Sequence, residues 1–182
     1  MSGIGIELLV PKRFGDSRGF FAETYNLRRY EEFGITQKFV QDNHSVSKSS
    51  GTVRGLHFQL PPAAQGKLVR CGRGAIFDVA VDIRRGSPTY GLWEGFELSE
   101  VNGHQLFIPI GFAHGFLTLE PNSEIVYKCT DYYLPEAERT ILWNDPDIKI
   151  NWPTFPDYIL SDKDKVGSLI RDFESPFVWQ EN

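Results

Sequence analysis

The chain has 182 residues, a formal net charge of -5, 14% aromatic residues and two cysteines. That length suits a single domain, residues 1–182, which would bury roughly 70% of the surface its unfolded form exposes and needs no disulfide staple. The acidic balance excludes nonspecific nucleic-acid binding, which needs a basic face, and no run approaches the ~18 apolar residues of a membrane span.

The N-terminal stretch "MSGIGIELLVPKRF" has neither a charged n-region nor a long apolar core. The expectation is therefore a cytoplasmic protein without a signal peptide, in which the formal glycosylation acceptor Asn43-His44-Ser45 is idle. Cys71 and Cys129 sit in apolar-rich stretches without a CxxC spacing, as buried, reduced thiols do.

From residue 4 to residue 133, short apolar runs are broken by Gly, Pro, Asn and Asp roughly every ten residues, the pattern of an all-β fold. Arg18, Arg54 and Lys67 lie beside glycines or tight turns and are candidate local cations for an anionic small ligand. "NLRRYEEFG" predicts a short helix capped by Asn26 and stopped at Gly34. Residues 54–67, "RGLHFQLPPAAQGK", set an arginine, a histidine, a glutamine and a lysine around a proline turn; alone, the segment leaves His57 open as a base, a metal ligand or a buried filler.

In "FDVAVDI", Phe77, Val79, Val81 and Ile83 share one strand face, and Asp78, Ala80 and Asp82 share the other, which faces solvent or a polar cavity. "SEIVYKCTDYYL", taken as one strand, points Ile125, Tyr127, Cys129, Asp131 and Tyr133 the same way and Tyr132 the opposite way. Tyr127 and Tyr133 are equally readable there as cross-strand packing residues. "SDKDKVGSLIRDF" predicts a C-terminal helix that starts at Ser161, with Asp164 in the capping-box position.

Residues 103–114, "GHQLFIPIGFAH", have the form G-x5-P-x-G-x2-H and resemble the second motif of the cupin superfamily, with Thr118 where an asparagine is frequent. The resemblance implies a jelly-roll barrel with a few short peripheral helices and His114 near its mouth. A metal-binding cupin would be expected to carry H-x-H in its first motif, whereas this chain reads His57-Phe58-Gln59. Two histidines and a glutamine make a poor divalent site, so no metal is expected.

The ordered set "DSRGFFAE", "QDNHSVS", "RGLHFQ", "QGKLVR", "DVAVDIRRGSPTYG", "IPIGFAHGF", "YKCTDYY", "WNDPDIKINWP" and "LSDKD" resembles the dTDP-4-dehydrorhamnose 3,5-epimerase family across residues 16–164. One departure is Ile110, where the family pattern has an acidic residue. The resemblance implies a cofactor-independent isomerase acting on a dTDP-linked 4-keto-6-deoxyhexose. Inversion at C3 and C5, both α to the C4 ketone, needs a base, an acid on the other face and a group that steadies the enolate oxygen.

By the same resemblance His57 is the base, Asp164 its partner, Lys67 the group on the enolate oxygen and Tyr127 the proton donor. Read without it, Asp164 would serve as the helix cap and Lys67 as a surface residue. Tyr133 and His114 would line the sugar pocket, with His114 binding a ketone or phosphate oxygen. Arg18 and Arg54 match diphosphate ligands, Glu23, Gln41 and Asn43 residues near the thymidine or sugar, and Glu138 and Lys163 contacts at the pocket edge. The family's dimers exchange an N-terminal strand, so Arg18 and Glu23 are expected to serve the partner's pocket. The remaining alternatives are an epimerase that inverts only C3 or C5, a noncatalytic sugar-nucleotide-binding cupin and a metal-dependent cupin oxygenase.

Overall fold

A computed structural model describes residues 4–181. In chain order the strands are β1 (Glu7–Leu9), β2 (Arg13–Asp16), β3 (Gly19–Ala22), β4 (Gln41–Ser47), β5 (Val53–Gln59), β6 (Lys67–Arg73), β7 (Ala75–Asp82), β8 (Trp93–Ser99), β9 (Gln105–Ile108), β10 (Phe112–Thr118), β11 (Ser123–Cys129) and β12 (Glu138–Thr140). A helix, α1 (Leu27–Glu31), separates β3 from β4. Two five-stranded sheets, ordered β1-β9-β6-β11-β4 and β12-β5-β10-β7-β8, form the two walls of a jelly-roll barrel, and β2 and β3 make a separate hairpin.

Alternation decides what each wall buries. Ile76 and Ala80 of β7 join Val69 and Cys71 of β6, Phe112 and Phe116 of β10 and Ile125 of β11 in the core between the sheets. The opposite face, with Val79, Val81 and Ile83, is also buried, under a C-terminal layer that contributes Ile141, Ile148, Trp152, Ile170 and Phe177. Asp78 and Asp82 also lie on this inward face and are fully buried, Asp78 against His114 and Asp82 under Arg84, Ser87 and Thr89, so this face of "FDVAVDI" is turned away from solvent. Burial of each large apolar side chain stabilises by about 1.5–3 kcal/mol, enough to hold a layer with little regular structure against the sheet.

The predicted helix after Asn26 is present: the Asn26 side chain accepts a hydrogen bond from the Arg28 amide, and Gly34 takes a positive φ of 79° just beyond the helix. The predicted C-terminal helix is replaced by two single 3-10 turns, Asp164–Val166 and Ile170–Asp172. Between them the chain is extended. Ser168 exchanges backbone hydrogen bonds with the 140–142 segment, at 2.9 Å from Leu142 N to Ser168 O and from Ser168 N to Thr140 O. Gly167 packs so closely on Leu142 that a Cβ would sit 2.6 Å from its backbone nitrogen. Tertiary backbone pairing here outweighs local helix preference.

Strands β5 and β10 come together at two glycines. A Cβ on Gly55 would lie 2.4 Å from Gly115 Cα and 2.8 Å from His114 O, and its φ of 131° is a conformation that L side chains rarely adopt. The ladder shifts register between His114 and Phe116, which leaves His114 opposite His57. Gly55→Ala should therefore destabilise the fold by about 2–4 kcal/mol, combining backbone strain with overpacking. Denaturant unfolding checks this, and a loss below ~0.5 kcal/mol would show that the two strands can separate without penalty.

Candidate active site

Two adjoining cavities of about 280 Å³ each open between the sheets and share His57, Lys67, Tyr127, Tyr133 and Glu138. Gln41, Asn43 and Gln59 complete one, and Arg54, His114, Lys163 and Asp164 belong to the other. Of the thirteen residues singled out in the sequence, eleven meet here. Arg18 and Glu23 do not. Arg18 is exposed at the tip of the β2–β3 hairpin and paired with Asp16 at 2.6 Å, and Glu23 pairs with Arg29 at 3.1 Å beside a different cavity.

His57 Nε2 lies 2.6 Å from Asp164 Oδ1. The same carboxylate oxygen accepts the Gly55 amide at 3.2 Å, while Oδ2 accepts the Ser161 hydroxyl at 2.6 Å. Asp164 thus makes one contact through each oxygen: Oδ1 meets the histidine, and Oδ2 closes a turn at Ser161 where the sequence led to the expectation of a helix cap. Burial alone would raise its carboxyl, but the hydrogen bonds from His57, Ser161 and Gly55 outweigh that and hold it below the ordinary carboxylate range. Burial pulls the His57 imidazole below its ordinary value, and the bond to Asp164 offsets part of that pull. That direction favours the neutral imidazole, and a neutral ring that donates to the Asp164 carboxylate carries its proton on Nε2 and its lone pair on Nδ1. Were the ring to take up a proton, its cation would already have a carboxylate partner.

The turn after β5 carries the chain from one sheet to the other, so Lys67 begins β6 with its Nζ 3.4 Å from the His57 carbonyl. Burial lowers the Lys67 ammonium, with Cys129, Asp78 and Glu138 acting against it. Tyr127 points inward from β11 beside Ile125, and burial raises its phenol above the ordinary value, so it carries a proton. Strand β11 ends at Cys129, so Tyr133 reaches the same space from the following loop and not from the strand face. Its hydroxyl donates to Glu138 Oε2 at 3.1 Å, and Lys163 donates to Glu138 Oε1 at 2.6 Å.

Gln59, the residue in place of a second motif histidine, is a structural clasp. It is 3% exposed, donates to Ala63 O at 2.6 Å and Tyr132 O at 3.1 Å, and accepts the Leu134 amide at 2.8 Å. It therefore pins both the turn before Lys67 and the loop that carries Tyr133. Among the described residues no group of three or more His, Cys, Asp or Glu side chains is placed to hold a metal ion. Gln41 accepts the Tyr133 amide at 2.9 Å and donates to Asn43 at 3.0 Å, and Arg54 donates to Ser47 at 3.2 Å. His114 is held by Asp78 at 2.7 Å. Sequence reasoning placed Asp78 on a face turned to solvent or a polar cavity and did not join it to His114, and it treated Ser161 only as a cap.

A histidine bonded to an ionised carboxylate, sharing one cavity with a lysine and a protonated phenol, is suited to moving a proton beside a carbonyl. On a jelly-roll barrel this is the equipment of a cupin-type sugar epimerase, an isomerase. The sequence model of the dTDP-4-dehydrorhamnose 3,5-epimerase family matches residues 4–172. A Salmonella typhimurium dTDP-4-dehydrorhamnose 3,5-epimerase is 56% identical over 164 residues, covering 90% of this chain and 89% of the relative. A solved Legionella pneumophila dTDP-6-deoxy-D-glucose-3,5-epimerase in complex with dTDP-4-keto-L-rhamnose superposes with a TM-score of 0.93 at 47% identity, covering 97% of this chain and 94% of that one. A Streptomyces bikiniensis 3'-monoepimerase in complex with dTDP-quinovose is more distant, with a TM-score of 0.85 and 32% identity over 92% of this chain and 84% of that one. The chain belongs to the dTDP-4-dehydrorhamnose 3,5-epimerase family.

The state of His57 sets the acid side of the pH profile. The base is active when neutral, so kcat/KM should fall as pH drops through an apparent pKa below the ordinary ~6.5 of imidazole. Asp164→Asn removes the partner that holds the value up, so the limb should move lower still while kcat drops. A wild-type limb above ~6.5 would contradict this assignment.

Proposed function

We propose that the chain converts dTDP-4-dehydro-6-deoxy-D-glucose to dTDP-4-dehydro-L-rhamnose by inverting C3 and C5, a step of dTDP-L-rhamnose biosynthesis. The observation that carries this is the His57–Asp164 contact of 2.6 Å in a cavity that also holds Lys67 and Tyr127. His57 Nδ1 removes the proton at C3 or C5, and the electron pair moves onto the C4 oxygen as an enolate. Lys67 stabilises that oxygen where charge develops away from bulk water. Tyr127 delivers its phenolic proton to the opposite face of the carbanion and is reprotonated by solvent, while His57 releases the abstracted proton to solvent. No redox step enters, because the proton count and oxidation level of the sugar are unchanged.

Arg54 and Lys163 supply positive charge for the diphosphate, and Gln41, Asn43, Tyr133, His114 and Glu138 surround the sugar and its nucleotide. We take residues 1–182 as one domain that works as a homodimer. Support for the dimer comes from the hairpin that carries Arg18, on which Phe14, Phe20 and Phe21 are 49–69% exposed. A partner covering these rings would bring Arg18 and Glu23 to its own pocket. The free, buried Cys71 and Cys129 support a cytoplasmic location. Among the described residues no helix is long and apolar enough to cross a membrane.

The test is turnover in deuterium oxide followed by NMR of the sugar. Label at both C3 and C5 with inverted product is the expected result. Label at one carbon alone would make the chain a monoepimerase, and no label would overturn the enolate route. In Tyr127→Phe the base still exchanges its proton, so label should persist at the abstracted position while inversion falls by about 10²-fold or more.

A further inference from the structure

A second buried carboxylate lies under this cavity. Asp78, on β7, has no exposed surface. Its Oδ1 accepts from His114 Nε2 at 2.7 Å, whereas Oδ2 is buried with no hydrogen-bond partner. A buried oxygen without a partner is destabilising, so the fold carries it at a penalty. Asp78 points into the barrel with Ile76 and Ala80, and Lys67 enters from the facing sheet on the inward side of β6 shared by Val69 and Cys71. An ammonium has three donors, and the one hydrogen bond found for Lys67 among the described residues is the long one, 3.4 Å, to the His57 carbonyl.

We propose that Asp78 is a positioning residue of the epimerisation: Oδ1 fixes the His114 ring with its proton on Nε2, and Oδ2 supplies the negative charge that holds the Lys67 ammonium in the cavity. This rests on the function proposed above. Glu138 from β12, Tyr127 from β11, His57 from β5 and Lys163 from the loop before the first 3-10 turn of the C-terminal layer line the cavity with Lys67, Cys129 stands opposite Lys67 in the β6–β11 register, and Asp78 lies behind His114, which lines the same cavity. Glu138 is already matched by Lys163 at 2.6 Å and by the Tyr133 hydroxyl at 3.1 Å. His57 is tied to Asp164, and burial raises both the Cys129 thiol and the Tyr127 phenol, which keeps them neutral. Asp78 is the group with a negative oxygen to spare.

Asp78→Asn retains an oxygen for the His114 Nε2 proton and removes the charge. The alkaline limb of kcat, where Lys67 loses its proton, should move down by about one pH unit, with kcat reduced about tenfold and KM within about twofold. In a Lys67→Arg background the limb should not respond to Asp78→Asn, because a guanidinium does not titrate in this range. An unmoved limb in the single variant, or an equal movement in the arginine background, overturns the Lys67 role. Nitrogen NMR of the wild-type enzyme tests the other half, whether or not the variant folds: His114 should carry its proton on Nε2, as the 2.7 Å contact with Asp78 requires, and an unprotonated Nε2 overturns it. That spectrum needs no turnover, so its failure is separate from failure of the epimerase function, which isotope exchange by the wild-type enzyme reads.

Discussion

The bond between His57 and Asp164 joins two side chains 107 positions apart in the chain. Asp164 belongs to the C-terminal layer, which has little regular structure and is held by burial of Ile141, Ile148, Trp152, Ile170 and Phe177 against the outer face of the β5-β10-β7 wall. The His57–Asp164 pair is therefore complete only when that layer has docked. The Gly55 amide donates to the same carboxylate, and Gly55 is also where β5 and β10 touch. One short segment thus sets the strand spacing, the His57 direction and part of the Asp164 hydrogen bonding.

Burial and charge divide the work in the cavity. Removal from water would neutralise every group there, which suits His57 and Tyr127 but works against Lys67 and the carboxylates. The fold answers with local partners: Ser161, Gly55 and His57 for Asp164, Lys163 and Tyr133 for Glu138. A base without its proton and an acid with its proton can then share one cavity at one pH. Gln59, in the place where a metal cupin has a ligand, spends its amide on three backbone groups and so positions Lys67 and Tyr133 indirectly.

Much of this was legible in the chain because the signals are local. The alternation at 77–83, the Asn26 cap and the motif histidines depend on a few neighbouring residues, and the order of motifs carried the family and the fold. The C-terminal helix failed because Gly167 and Ser168 are claimed by the distant 140–142 backbone. Tyr133 was placed on a strand that stops at Cys129, where Thr130 turns its amide to Gly66. The Asp78–His114 pair was missed because it depends on the register of β10 against β7, which is set by partners 36 positions apart. Arg18 and Glu23 are a different case: Arg18 is on the hairpin and Glu23 just after it, and that hairpin exposes Phe14, Phe20 and Phe21 and lies away from the cavity of its own chain.

The central claim is that His57, made neutral by burial and supported by Asp164, takes the substrate proton. Its most direct test is the rate of solvent deuterium entry at C3 and C5 in His57→Ala, with dTDP affinity measured on the same preparation. Exchange should fall by about 10²–10⁴-fold at both carbons while affinity stays within about twofold. Exchange that continues at the wild-type rate would assign the base to another residue and contradict the account.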